Sequence, residues 1–474
     1  MRKINKKLLK KKILFCSAEA APLAKAGGLA DVVGSLPLAL KGQNIEARIL
    51  MPAHGPIALR VIKAKKLFAF AVLIDGQKEK VTLYQAKVQG IYYYLLQNKH
   101  YFSGAVYEGD NIKKYLFFSR AALTVLKHLP FHPDIIHAHD FHASPIITEI
   151  STEPRKKRPG LVLTIHNLQH QGWVEKSTLL AFGFNPLAFT VGVSSPNDNW
   201  CRLLAAGIKS ADKITTVSPS YAREILTPAY GHGLDPLLLT RSLDLVGILN
   251  GIDTVVYNPA DDHNLAQSLS ENTWRSDKAV NKSAIRNYLG LADDASPLFI
   301  FIARFSQQKG LDLLQIKRWQ ALANKYSFQL VLLGTGGEKY EKLVLDLARA
   351  LPLQARALIV FSEVLAHNLY AAADYFLMPS AFEPCGLTQM IAMRYGAVPI
   401  VRGTGGLKDT VINNKTGLVF QKYSAASLFA TLARSLRLYY KDNQNFRAMQ
   451  KMGRQQDWSW AASAPKYRQL YDKV

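Results

Sequence analysis

The sequence predicts an α/β protein made of two doubly wound, Rossmann-like parallel sheets. Three observations carry this prediction. Short apolar strands alternate with amphipathic stretches, and the scheme runs twice, once in each half of the chain. Several of the strands end directly in polar loops, which gathers polar residues at one edge of each sheet. The chain has 474 residues, more than one hydrophobic core usually serves, so two domains of roughly 200–250 residues are expected.

Taken in order, the first half gives apolar runs at 12–16, 46–51, 92–97, 134–137, 161–166 and 213–217, with polar loops at 17–28, 137–142 and 166–172. The second half repeats the pattern at 299–303, 329–333, 358–361, 375–378 and 398–401, each followed by helix-compatible sequence. Residues 228–262 are rich in Gly, Pro and Asp, and a boundary is expected near 245. This places a first domain at 1–245, a second at 246–455 and a terminal segment at 456–474. In that last segment Trp458, Trp460, Tyr467 and Tyr471 recur at helical spacing, as in a helix that covers exposed core.

Composition excludes several classes. Hydrophobic content of 49% and charged content of 20% describe an ordinary globular chain. No apolar run reaches the roughly 18–20 residues needed to span a bilayer. The N-terminal lysines followed by Ile13-Leu14-Phe15 imitate an export signal, but the apolar part is too short, so a cytoplasmic protein is expected. Cys16, Cys201 and Cys385 are odd in number and widely spaced, which fits neither a disulfide framework nor a zinc site. A net charge of +24 could attract nucleic acid or an anionic membrane, yet the lysines are scattered and no zinc-finger or RNP-like pattern accompanies them. Neither partner is expected; the charge would instead speed capture of a small anionic substrate.

The motifs with chemistry sit at the strand ends. Met378-Pro379-Ser380-Ala381-Phe382-Glu383-Pro384-Cys385-Gly386-Leu387-Thr388-Gln389 joins a strand to a helix through a turn that holds one carboxylate. Such a turn sets an acid beside backbone N–H groups and a helix N-terminus, which suits a phosphorylated ligand. Gly403-Thr404-Gly405-Gly406-Leu407 and Asp409 repeat the arrangement after the next strand. Lys25-Ala26-Gly27-Gly28-Leu29-Ala30-Asp31 follows the first strand and reads as an anion-friendly turn, without being a dinucleotide fingerprint or a P-loop. Arg304 and Lys309, after the first strand of the second half, could neutralise a diphosphate. His137-Ala138-His139-Asp140-Phe141-His142 puts two imidazoles on one strand face, but no second metal-spaced cluster exists and His-Glu-x-x-His is absent. A ligand-binding strand end with His139 on the substrate is the expectation, with no metal. The chain also lacks an Asp-x-Asp pair, so leaving-phosphate charge would fall to Arg, Lys and helix N-termini.

Together these segments resemble the bacterial glycogen synthase and plant starch synthase family nearly end to end. The match covers 25–37, 134–142, 164–172, 215–224, 247–253, 303–313, 377–389 and 395–411, and Trp458-Ser459-Trp460. The octapeptide from Phe382 to Gln389 is its most specific part. The resemblance implies the GT-B fold, two Rossmann-like domains facing a cleft, with a C-terminal helix crossing back to the first domain. It implies a retaining transfer of glucose from ADP-glucose to the 4-hydroxyl of an α-1,4-glucan, without a metal cofactor. It sets no oligomeric state.

By the same resemblance, Lys25, Gly27 and Gly28 would close over the donor diphosphate, and His139 would contact the transferring glucose. Arg304 and Lys309 would bind the phosphates and Glu383 would face the reacting sugar. Asn250 would lie near the nucleotide, Phe361 would stack on adenine, and Leu387 and Thr388 would hold the distal phosphate. Asp110 and Asn167 would contact sugar or acceptor. Domain closure would unite these groups and exclude water. Four departures touch this set. Ala381 stands where the family has arginine, Ala205 where it has lysine, Phe361 where it has tyrosine, and Ser103-Gly104 where it has Asp-Arg. Three further readings therefore stay open: a related transferase using UDP-glucose, one using another acceptor, or a weakened glucan-binding protein.

Overall fold

A computed structural model describes residues 10–191 and 199–474. The chain forms two compact units, one of Met1–Gly251 with Trp460–Val474 and one of Ile252–Ser459.

The strands of the first unit are β1 (Lys11–Cys16), β2 (Ile45–Pro52), β3 (Lys65–Ile74), β4 (Gln77–Val88), β5 (Ile91–Gln97), β6 (Ile135–His139), β7 (Gly160–Ile165), β8 (Trp173–Glu175), β9 (Trp200–Arg202), β10 (Lys213–Thr216) and β11 (Leu245–Gly247). Nine of them make one sheet in the order β11-β10-β7-β6-β1-β2-β5-β4-β3, and β8 pairs with β9 apart from it. From β11 to β5 every pairing is parallel, whereas β3, β4 and β5 run antiparallel. The central strands are continuous apolar runs because helices cover both faces; Ile13, Leu14, Phe15 and Cys16 are all fully buried. The β3–β4 hairpin lies outside the strands expected from sequence. Its edge strand alternates exposed and half-buried positions, so its apolar residues do not form a buried run. The turn signal was present: Asp75 and Gly76 take φ of 46° and 74°, the left-handed pair of a tight hairpin.

The helix Trp460–Tyr471 belongs to this unit. Trp460, Ala464, Tyr467, Leu470 and Tyr471 join Phe15, Val32, Leu36 and Tyr93 in a single core. Trp460, Tyr467 and Tyr471 therefore close a core, whereas Trp458 precedes the helix and lies outside it, in the second unit.

The second unit holds β12 (Leu298–Ile302), β13 (Gln329–Gly334), β14 (Ala355–Ile359), β15 (Tyr375–Met378), β16 (Val398–Arg402) and β17 (Leu418–Phe420). They form one fully parallel sheet in the order β14-β13-β12-β15-β16-β17. One expected strand is displaced. The apolar run at 358–361 suggested a strand there, but pairing covers 355–359, because the partner β13 ends at Gly334 opposite Ile359. Phe361 therefore lies beyond the ladder. Among the described residues no helix is long and apolar enough to cross a membrane.

Candidate active site

Each sheet changes winding direction once near its centre, and Lys25, His139, Arg304, Lys309 and Glu383 lie at or after the ends of the strands that flank those two places. In the first unit the change falls between β1 and β6, in the second between β12 and β15. The carboxyl ends of strands flanking such a point open a crevice between their diverging loops.

In the second unit the β12 and β15 loops are laced together. The Ala381 N–H donates to Gln308 O at 2.8 Å, and Lys309 Nζ donates to Glu383 Oε2 at 2.7 Å. Glu383 is buried, and Ser380 Oγ donates to the same oxygen at 3.1 Å. Gly310 makes this approach possible: its φ is +77°, and a Cβ there would lie 2.1 Å from Pro379 O. The β16 loop joins through the Gly406 N–H, which donates to Glu383 O at 3.0 Å, and a Cβ on Gly406 would lie 2.2 Å from Cys385 O. A carboxylate, an ammonium and closely apposed glycine backbone are thus fixed at one sheet edge. Arg304 is exposed on the β12 loop, and the Arg402 guanidinium donates to the carbonyl of Ala381. Leu387 and Thr388 start the short helix Thr388–Arg394, with Thr388 Oγ1 on Met378 Sδ at 3.7 Å. Phe361 is 73% exposed, its ring open to solvent just before the helix Glu363–Ala372.

In the first unit His139 ends β6 and is fully buried. Its ring stacks on His137 at 4.4 Å and its Nδ1 lies 2.9 Å from His166 Nε2, while its Nε2 has no partner. Burial holds the His139 imidazole well below the usual range, and His137 and His166 at about 3, so this cluster is neutral near pH 7. Asp140 follows with φ of 55°, and its Oδ1 accepts the His166 N–H at 2.7 Å. Asn167 lies in the same loop, its Oδ1 accepting from the Gln169 N–H at 3.1 Å.

The Lys25 loop stands at the end of β1. Lys25 pairs with Asp31 at 3.0 Å, Gly27 precedes the helix Gly28–Lys41, and Glu19 Oε2 accepts the N–H groups of Ala26 and Gly27 at 2.5 and 3.1 Å. Asn250 is buried one residue before the end of this unit's first segment, and its Oδ1 has no partner. Asp110 is set apart from the others as the N-cap of the helix Asn111–Leu126, accepting from the Ile112 and Lys113 N–H groups at 3.0 Å each.

Sequence reading expected Glu383 and Lys309 at the site but not that they pair, and it gave no role to Glu19, Ser380 or the Asp140–His166 contact. The loop glycines were the available signal for Glu19, since closely packed N–H groups need an acceptor nearby. Among the described residues no group of three or more His, Cys, Asp or Glu side chains is arranged to hold a metal ion.

Comparison with known proteins gives this geometry its context. The family described as "Starch synthase catalytic domain" matches residues 12–240, and "Glycosyl transferases group 1" matches residues 286–456. A glycogen synthase of Geotalea daltonii is 40% identical over 98% of this chain and 99% of its own length. The chain belongs to the glycogen and starch synthase family of glycosyltransferases. As a family member it is a hexosyltransferase, and other relatives agree. A glycogen synthase of Streptococcus mutans is 38% identical over 98% of this chain and 100% of its own length. The catalytic domain of starch synthase IV from Arabidopsis thaliana, solved with ADP and acarbose, superposes with a TM-score of 0.90 at 32% identity, covering 98% of this chain and 99% of that one. The synthase fold is therefore GT-B. A sucrose-phosphate synthase from Thermosynechococcus elongatus, at 18% identity and a TM-score of 0.63, shares the fold alone.

Proposed function

We propose that this synthase transfers glucose from ADP-glucose to the non-reducing 4-hydroxyl of an α-1,4-glucan with retention of configuration, elongating glycogen. The observation that carries the reading is the pairing of buried Glu383 with half-buried Lys309, held among three strand-end loops in a chain related along its whole length to glycogen synthases.

In this reading Lys309 and Arg304 bind the donor phosphates and stabilise the ADP that leaves. Glu383 faces the sugar, where a fixed carboxylate favours the positive charge that grows at the anomeric carbon. The unpartnered Nε2 of neutral His139 hydrogen-bonds a glucose hydroxyl, and the Asn250 Oδ1 accepts from the nucleotide. Phe361 offers its exposed ring to adenine. The loop of Lys25, Gly27 and Gly28 lies against the diphosphate, and Leu387 and Thr388 bring backbone N–H groups to the distal phosphate. Asn167 contacts sugar or acceptor, while Asp110 acts there through the helix it caps. The 4-hydroxyl of the acceptor attacks the face that ADP leaves, and the departing phosphate takes its proton.

The test is glucose incorporation into glycogen from ADP-glucose and UDP-glucose in parallel, with Glu383→Ala as control. Transfer from ADP-glucose that the substitution abolishes is expected. Transfer from UDP-glucose alone would overturn the donor assignment. Transfer from neither, in a protein that binds glycogen, would leave a glucan-binding protein.

A further inference from the structure

We infer that Glu19 is a positioning residue for donor binding: its carboxylate is the anchor that gives the 25–28 loop its shape. The inference rests on the reading above, in which that loop meets the donor diphosphate.

Glu19 lies three residues past β1 and is 1% exposed. Its carboxylate accepts from three donors. Oε2 accepts the N–H groups of Ala26 and Gly27, and Oε1 accepts the Tyr107 hydroxyl at 3.0 Å. The nearest lysine of the loop, Lys25, is turned to Asp31 instead. The two N–H groups just ahead of the helix Gly28–Lys41 are thus tied down from inside the fold, by an acid that is itself fastened by Tyr107. Glu19 is too deeply buried to be a stand-in for the ligand's phosphate; it forms the floor of the loop.

The bonds depend on ionisation. A carboxylate accepts all three donors, whereas a carboxylic acid must place its own hydrogen among them, and charge-assisted bonds are about twice as strong as neutral ones. Burial raises the Glu19 carboxyl to about 7, against the Ala26, Tyr107 and Gly27 hydrogen bonds that lower it. The titratable groups that act on it are Asp31, Tyr107, Tyr115 and Asp140. The loop accordingly tightens as pH rises through neutrality, and donor KM falls with it.

The experiment has two readouts, donor KM from pH 6 to 8.5 and hydrogen–deuterium exchange of peptides spanning residues 20–30. Glu19→Gln is shaped like the protonated acid. It should raise the KM for ADP-glucose several-fold at pH 8, change kcat less, and lower the loop's protection factors at pH 8, corrected for base-catalysed intrinsic exchange, to values that wild type reaches only near pH 6. Tyr107→Phe removes a bond that favours the ionised form and should move the KM midpoint to higher pH, which serves if the Gln variant folds poorly. Wild-type KM and exchange in Glu19→Gln, or an unmoved midpoint in Tyr107→Phe, would overturn the inference. Loop exchange that depends on Glu19 in a protein with no transfer from ADP-glucose would sink the donor reading and leave the anchor standing.

Discussion

At the scale of single residues, the Lys309–Glu383 contact makes demands on stability as well as chemistry. Glu383 is buried with two donors, so Lys309→Met leaves an anion with only the Ser380 hydroxyl. That substitution should lower stability by about 2 kcal/mol, less than a wholly buried pair because Lys309 is partly solvated, and reduce kcat by at least about two orders of magnitude. Ser380→Ala removes one hydroxyl bond to that anion and should cost about 1.5 kcal/mol with a much smaller loss of rate. Urea unfolding and steady-state kinetics on the two variants distinguish these outcomes; equal losses would show that the lysine does no more than the hydroxyl. Glu383 and Lys309 were each legible in the sequence because glycines and a proline flank them at strand ends. Their pairing was not, since it spans 74 positions and depends on β12 and β15 being neighbours in the sheet.

At the scale of elements, the glycines in the strand-end loops are steric requirements. Gly310→Ala would force a Cβ against Pro379 O in a left-handed backbone, and should destabilise the second unit by more than about 2 kcal/mol while displacing Lys309. A thermal melt with donor KM checks both effects. In the first unit, Trp460→Ala should cost about 3–5 kcal/mol, because a large ring leaves a core that has no other cover at that position. Helices and central strands were legible because burial on both faces gives unbroken apolar runs. The β3–β4 hairpin was not, since an edge strand is half wet and its pattern is diluted. The strand at 355–359 was misplaced for a related reason: Val360 and Phe361 are apolar but exposed, and hydropathy alone cannot tell an exposed ring from a core residue.

At the scale of the whole molecule, charge and protonation set the working conditions. The +24 balance should draw anionic donors inward, so kcat/KM should fall several-fold between low and roughly 0.5 M salt; a flat salt response would leave the lysines without that role. Acid should unfold the first unit early. Burial lowers His54 to about 4, His137, His142 and His166 to about 3, and His139 well below the usual imidazole range, so below the ordinary value near 6.5 the unfolded chain takes up protons that the folded chain refuses. Glu19 and Asp140, raised to about 7, work the other way, since between about 4 and 7 the folded state holds their protons more firmly. Five imidazoles against two carboxyls leave a net of about three protons, so stability should drop by on the order of 4 kcal/mol per pH unit near pH 5. Denaturant midpoints taken from pH 5 to 7 read this slope directly. The histidine run itself was legible in the sequence, but its neutrality comes from burial that only the packed fold supplies. Finally, the first unit contains the last residues of the chain, Trp460–Val474, after a complete second unit. A ribosome needs roughly 10–40 s to travel from Gly251 to Trp460 at about 5–20 residues per second. Throughout that interval the core around Phe15, Val32, Leu36 and Tyr93 lacks the aromatic residues that complete it, and only translation past Tyr471 supplies them. A polypeptide cut short before Trp460 should therefore keep part of its first core open to water.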